Sequence, residues 1–442
     1  MRKPRLHTIL FVVLMTILCL PMVQQMSHVF KLKQLDGFTA PVEPVKLSWE
    51  SFRNQSYQQY VQQYLQQNFG FRNSYIRTYN QFIYTCFHQT TNDNIVIGKQ
   101  DELYLKQYTD VYTGQTIRNH YGTEDSARAA MRQNVKETLR IIDTLKQFGT
   151  DIIVVLAPSK PLIYPEYLPY NIQKGHHPFS IQEEYARFYE QAGVEHINFV
   201  PIFRDLKKTA PYPVYTRYGT HWAHSTIPFV ADTILQKIAS VKGYPMPHIV
   251  YADSNLTTHY RNSDKEVESQ LNLLFPLRHE QIPMPIFTLT GNGNSRKPNL
   301  LVVGDSYYTQ LENTDFTKAF GQVDYWKYNE TAYSSQPERC GKISHLKRYE
   351  TITEADVILV IFTDMHAYSY FFGFLNTVEQ ALKDGPDFNE IDREEVIQDI
   401  ITRIKASPEW YEEVKKQAKK KKIDLDQCLR NNAEWVFEQE HK

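Results

Sequence analysis

Three short runs in this chain are apolar at every position: Ile152 to Ala157, Leu300 to Val303 and Val357 to Phe362. A strand with one wet face alternates apolar and polar residues, so a run without alternation needs cover on both faces. Helical patterns lie between these runs. Met131, Val135, Leu139, Ile142 and Leu145 recur at helical spacing over Glu124 to Phe148, and Gly149 stops them. Further helices are predicted near Gln182–Ala192, Ile227–Ser240, Ser344–Glu354 and Tyr368–Leu382, with strands near His196–Val200 and Val323–Tyr328. Strands alternating with helices predict a three-layer α/β domain around a mostly parallel sheet. Ligands of such sheets sit outside the carboxyl ends of the strands. That rule puts Pro158-Ser159-Lys160, Ser306, Asn329 and Thr363-Asp364 on one rim.

The run Leu300 to Val303 enters Gly304-Asp305-Ser306 and then a Tyr-rich segment, which reads as strand, sharp turn and helix start. A serine raised on such a turn can act as a nucleophile, with backbone N–H groups beside it to hold an oxyanion. The same residues suit an ordinary turn with a helix-capping serine. A nucleophilic serine needs a base and a group to orient that base. His221, His224 and His366 stand out among the 15 histidines by their contexts, Gly219-Thr220-His221-Trp222 and Thr363-Asp364-Met365-His366. Asp364 and His366 would point the same way in an extended segment.

Net charge is −1, which argues against an electrostatic nucleic-acid binder. Cys19, Cys86, Cys340 and Cys428 form no C-x-x-C and no Cys/His cluster, so no metal site is expected; one disulfide among the last three is left open. No motif calls for a cofactor. The 30 Tyr and 24 Phe are many; aromatics line carbohydrate grooves, and they also fill cores. Arg2, Lys3 and Arg5 precede an apolar run from Ile9 to Leu20 without a clear cleavage site, which reads as an uncleaved signal anchor over residues 1–23 rather than a cleaved signal peptide. Either way the remainder is exported. Residues 24–48 read as a stalk. Trp49 to Phe87 is helical and rich in Gln, Tyr and Asn, with Tyr60, Tyr64, Phe69 and Phe71 as a sticky face. Asn94 to Leu105 reads as a β-hairpin. A Pro-rich polar insertion runs from about 244 to 298, to carry substrate contacts or to serve as a cover. The main domain spans 49–385. A charged helical extension follows at 391–442, with Ile397, Ile400, Ile401 and Ile404 as a stripe and a lysine cluster read as a solvated face.

Gly304-Asp305-Ser306 after a strand resembles the nucleophile block of SGNH hydrolases. Thr220-His221-Trp222, upstream of the serine, resembles the Asp-Thr-His-Trp block of the alginate O-acetyltransferase (AlgX/AlgJ-type) branch. Phe69-Gly70-Phe71-Arg72, Ile97-Gly98-Lys99, Ala157-Pro158-Ser159-Lys160, Tyr164 to Pro169 and Ala355 to Asp364 resemble further blocks in the same order, over about residues 50 to 382. The resemblance implies an SGNH-like (flavodoxin-like) fold. It implies acetyl transfer through acylated Ser306, with His221 as base, onto an exported cell-surface polysaccharide. It also implies a membrane-bound O-acyltransferase as acetyl-donor partner and a periplasmic domain anchored in the inner membrane. A carbohydrate deacetylase, or a degenerate glycan-binding scaffold of an export complex, stands as the alternative. Tyr307, Asn329, Lys160 and Arg217 are expected at the substrate or oxyanion rim. One position departs from the branch: the acid two before the histidine is Gly219. Asp364, a backbone carbonyl or no group at all could then stand behind His221.

Overall fold

The computed structural model describes residues 6–37, 42–291, 297–312, 314–386, 393–421 and 423–440. Arg2, Lys3, Arg5 and Lys422 lie outside them. The strands are β1 (Ile95–Ile97), β2 (Leu103–Leu105), β3 (Asp151–Ala157), β4 (His196–Asn198), β5 (His248–Thr257), β6 (Ile282–Thr290), β7 (Leu300–Gly304), β8 (Val323–Lys327), β9 (Thr331–Ser334), β10 (Gly341–Lys342) and β11 (Val357–Thr363). Seven of them form one sheet in the order β10-β9-β8-β7-β11-β3-β4. The five from β8 to β4 run parallel, and β9 and β10 are antiparallel at one edge.

The unbroken apolar runs have the reason expected of them. In β11, Val357, Leu359 and Ile361 face one core, while Ile358, Val360 and Phe362 face the other; β3 and β7 divide in the same way. The helices Phe199–Thr209 and Ile227–Lys242 cover the first face, and Glu124–Leu145, Ile181–Ala192 and Phe374–Asp384 cover the second. β11 lies between β7 and β3, with β8 and β4 outside them, so the chain winds in both directions from the centre of the sheet. The carboxyl ends of β3, β7 and β11 therefore open onto one crevice, the usual place for a site in an open α/β sheet.

Two sequence expectations change. The insertion is not an irregular cover: β5 and β6 pair in a long antiparallel ladder, and the helix Glu266–Leu271 lies between them in sequence. Pro283 and Pro285 disguise β6. They stand two apart, so both lie on the same side of a two-stranded ribbon, where a missing N–H costs no ladder bond. The segment after Ser306 is not a helix start but successive turns, Tyr308 N–H to Asp305 O and Thr309 N–H to Ser306 O, before a helix of only four residues, Thr309–Glu312.

Outside the sheet lie α1 (Leu6–Ser27), α2 (Trp49–Arg53), α3 (Ser56–Asn68) and α4 (Arg72–Phe87). α1 is long and apolar enough to cross a membrane. At the other end, the helices Arg393–Ala406, Pro408–Lys421 and Leu425–Glu440 share their own core around Ile397, Ile400, Ile404, Val414 and Leu429. Glu395 ties this bundle to the sheet edge through Lys342 at 2.8 Å and His345 at 3.3 Å. None of the four cysteines is disulfide-bonded.

Candidate active site

β7 delivers Ser306 to the rim. Gly304 is required there because its neighbour in the ladder crowds it: a Cβ would come 2.8 Å from the Ile361 carbonyl oxygen. The next residue, Asp305, is fully buried and staples the turn. Its carboxylate accepts from the Thr363 N–H (2.9 Å), the Thr363 hydroxyl (3.0 Å) and the Tyr307 N–H (3.1 Å), and pairs with His366 Nδ1 (3.1 Å). The Asp364–His366 pairing suggested by their spacing does not form; His366 reaches Asp305 instead.

His221 comes from a loop pinned by its neighbour. Trp222 is wholly buried against Phe199, Phe203 and Tyr307, and bridges to Tyr215 across the loop, where the Ala223 N–H also donates to Val214 O. With Trp222 locked in the core, His221 faces the rim. Its Nε2 lies 2.9 Å from Ser306 Oγ. Its Nδ1 lies 2.7 Å from Oε1 of Glu266, and that oxygen also accepts from the backbone N–H groups of Thr220 (2.8 Å) and His221 (3.2 Å). Glu266, the first residue of the inserted helix, thus stands behind the imidazole.

Gly219 explains the substitution. A Cβ at this position would meet Thr216 Oγ1 at 2.7 Å, the Ser263 carbonyl oxygen at 2.9 Å and the Asp264 carbonyl carbon at 3.1 Å. The insertion's backbone lies on the glycine. The Thr216 hydroxyl donates to Asp264 O and accepts from the Gly219 N–H, and Asp264 Oδ1 accepts from the His224 N–H at 2.9 Å. Position 219 is bare so that the loop carrying Glu266 can pack. Burial holds the Asp264 carboxyl up at about 6 and pushes the His224 imidazole down to about 4, so His224 serves as a neutral core residue.

The structure separates the other sequence candidates. Asp364 is not the group behind His221: its Oδ2 accepts from Ser159 Oγ at 2.6 Å, and its Oδ1 from the Met365 N–H at 2.9 Å. Burial raises this carboxyl to about 7. Lys160 is not at the rim. It is buried, bonded to Glu102 at 2.8 Å and to the carbonyls of Leu103, Thr216 and Arg217, where it fastens the β1–β2 hairpin to the His221 loop. Arg217 pairs with Glu280. Tyr307 is buried: its hydroxyl donates to Thr220 O at 2.7 Å and its ring backs His221, while its N–H is taken by Asp305. Asn329 donates to Phe372 O and Thr377 Oγ1 and lines the cleft beside Tyr328.

Sequence reasoning missed Glu266 and Tyr328. Tyr328 and Asn329 have φ of 53° and 54°, and the Glu330 N–H donates to Lys327 O, a tight turn with two left-handed residues. This turn brings the Tyr328 phenol close to Ser306; burial raises its pKa, and the nearness of Ser306 lowers it in part. Tyr328 also lines a cleft of about 380 Å³ with His366, Tyr368 and Phe372. Ser306, His221 and Glu266 can relay a proton.

A serine joined to a histidine thus stands above the carboxyl ends of a parallel α/β sheet. Residues 97–282 match the family model of the SGNH hydrolase-like domain of the acetyltransferase AlgX, so the likeness to that branch holds over a stretch that includes His221 and Glu266. Among solved structures, the chain overlays on the O-acetyltransferase domain of Pseudomonas putida AlgJ (14% identity, 64% of this chain and 99% of that one, TM-score 0.42). It also overlays on Pseudomonas aeruginosa AlgX (16%, 64% and 67%, TM-score 0.41) and on Bacillus cereus PatB1, solved with a sulfonyl adduct (13%, 56% and 93%, TM-score 0.37). At such TM-scores the case for the site rests on this chain's own geometry. No curated protein matches the chain.

Two outcomes are expected. Gly219→Ala should force the Glu266 loop outward and lower turnover of an activated acetyl ester about 100-fold, since a displacement of about 1 Å can cost that much. Native Asp364 keeps its proton up to about 7, while the unfolded chain loses it near 3.8. The native state then binds more protons across that window, and stability falls as pH rises through it. Asp364→Asn should flatten that slope, which is on the order of a few kcal/mol, in urea melts between pH 4 and 8.

Proposed function

We propose that this chain is an O-acetyltransferase that moves an acetyl group through a Ser306 acyl-enzyme onto a cell-surface polysaccharide. The observation that carries the reading is the unbroken line from Ser306 Oγ to His221 Nε2 and from His221 Nδ1 to Glu266. Ser306 attacks the carbonyl carbon of an activated acetyl group. His221 takes the hydroxyl proton and passes it to the leaving group. The Ser306 N–H and the Tyr328 hydroxyl stabilise the oxyanion. In the second half-reaction His221 takes the proton of an acceptor sugar hydroxyl; that oxygen attacks the acyl carbonyl, and the proton returns to Ser306. Glu266 fixes the imidazole tautomer and stabilises its charged form, the role given to an aspartate in most triads. The cleft beside Tyr328 offers aromatic and polar contacts of the kind sugar rings use.

An acetyl donor has to reach a domain outside the cytoplasm. We therefore assign α1 as an anchor in the inner membrane, and a membrane-bound O-acyltransferase as the partner that supplies the acetyl group. The match to an acetyltransferase family model over residues 97–282 supports this reading.

Ser306→Ala and His221→Ala should abolish turnover of an acetyl ester and covalent labelling by a serine-directed phosphonate. Glu266→Gln should keep the fold and the label but lower kcat roughly 10³- to 10⁴-fold. Acetylation of an added glycan separates transfer from hydrolysis. An unlabelled Ser306 in the folded protein would sink the proposal.

A further inference from the structure

α3 is a helix of 13 residues in which no residue is buried. It carries no charged side chain, so no ion pairs support it. A helix of this length is marginal in water unless an amphipathic face packs on something. Such a face exists: Tyr57, Tyr60, Val61, Tyr64 and Leu65 recur at i, i+3, i+4, i+7 and i+8, with glutamines between them. Tyr57, Tyr60 and Tyr64 touch in series. Tyr64 and Leu65 are about half exposed, at 44% and 52%. The surface continues round the elbow, where Phe69 stacks on Tyr75, and then along α4 through exposed Tyr79 and Phe82. Nothing among the described residues covers it.

Its position says what does. The elbow touches α1 directly: Gly70 lies against the Pro21 carbonyl, so close that no side chain could stand there, and Phe71 packs on Phe30. Gln24 turns the chain at the end of α1 through a two-way bond with Phe30. Arg77 of α4 then grips the Gln34 carbonyl at 2.6 Å and the Leu273 carbonyl at 3.1 Å, and Asn272 exchanges two hydrogen bonds with Asp36. Gln34 lies seven Cα–Cα steps beyond Ser27, a reach of at most about 25 Å. The aromatic surface is therefore held level with the end of the apolar helix. Between Arg53 and Asp93 the only Lys, Arg, Asp or Glu residues are Arg72 and Arg77, and Arg77 is buried. Tyr-rich faces of this kind sit at the headgroup level of bilayers.

We propose that α3 and α4 lie on the outer surface of the membrane and seat their aromatic face in the lipid interface, without a charge requirement. The proposal rests on α1 being an anchor, as assigned above. The stalk is then not a loose tether: α4 and Asn272, which ends the helix that begins with Glu266, are docked to it, so the site stands at a fixed orientation to the lipid.

The full chain in phosphatidylcholine vesicles, followed by hydrogen exchange, tests this. Resistance to carbonate extraction reports α1 separately, so failure of the anchor and failure of the surface are distinguishable. Residues 56–68 should exchange at least about tenfold more slowly than an unstructured peptide, to the same degree in salt at about 0.5 M. The variant Tyr60→Ser/Tyr64→Ser/Leu65→Ser should lose that protection and keep acetyl-ester turnover. Free exchange of 56–68 in the anchored wild type would overturn the proposal. So would protection that needs anionic lipid or an added protein, or protection unchanged in the variant.

Discussion

Everything at the candidate site depends on one packing contact, that of Ser263 and Asp264 on Gly219. The backbone of the insertion occupies the space where a side chain at 219 would be. A carboxylate two residues before His221 is thereby excluded, and a carboxylate 45 residues later is brought in. Glu266 then receives the imidazole and two backbone N–H groups on one oxygen. The bare glycine and the distant acid are two sides of one rearrangement.

The surrounding polar groups serve that contact. Thr216 and the His224 amide hold the insertion loop, Lys160 holds the His221 loop to the hairpin, and Tyr307 holds Thr220 from beneath. Each buried group among these satisfies a backbone atom of an irregular segment, which could not otherwise be buried. Asp305 does the same for the nucleophile turn. Of the rim residues expected to touch substrate, Lys160, Arg217 and Tyr307 are instead fastenings of the loops that carry the site, while Asn329 lines the cleft beside Tyr328. The sequence shows that a polar residue is near the rim, but not which way it faces.

The strand and helix pattern was legible because the runs at 152–157, 300–303 and 357–362 are covered on both faces, which leaves no alternation to misread. The insertion was not legible. Its prolines fall on the free side of a two-stranded ribbon, and its polar face meets water, so neither periodicity nor composition marked β5 and β6 as strands. Ser306 and His221 could be named from local context, one on a strand end and the other before a tryptophan. The structure places them 2.9 Å apart. Glu266 could not be named, because it is one of 50 acidic residues and lies in a segment without a motif.

The sequence by itself determined the doubly covered sheet, the apolar N-terminal helix, the serine on its turn and the histidine beside its tryptophan. Each of these is written in neighbouring residues: unbroken apolarity, a glycine at a crowded strand end, a large ring that must be buried. Only the tertiary structure decided which carboxylate stands behind the histidine and which tyrosine comes close to the serine. Those choices depend on where distant backbone segments come to rest. At Gly219 it is the insertion's backbone, and at Tyr328 a left-handed turn, that sets the result.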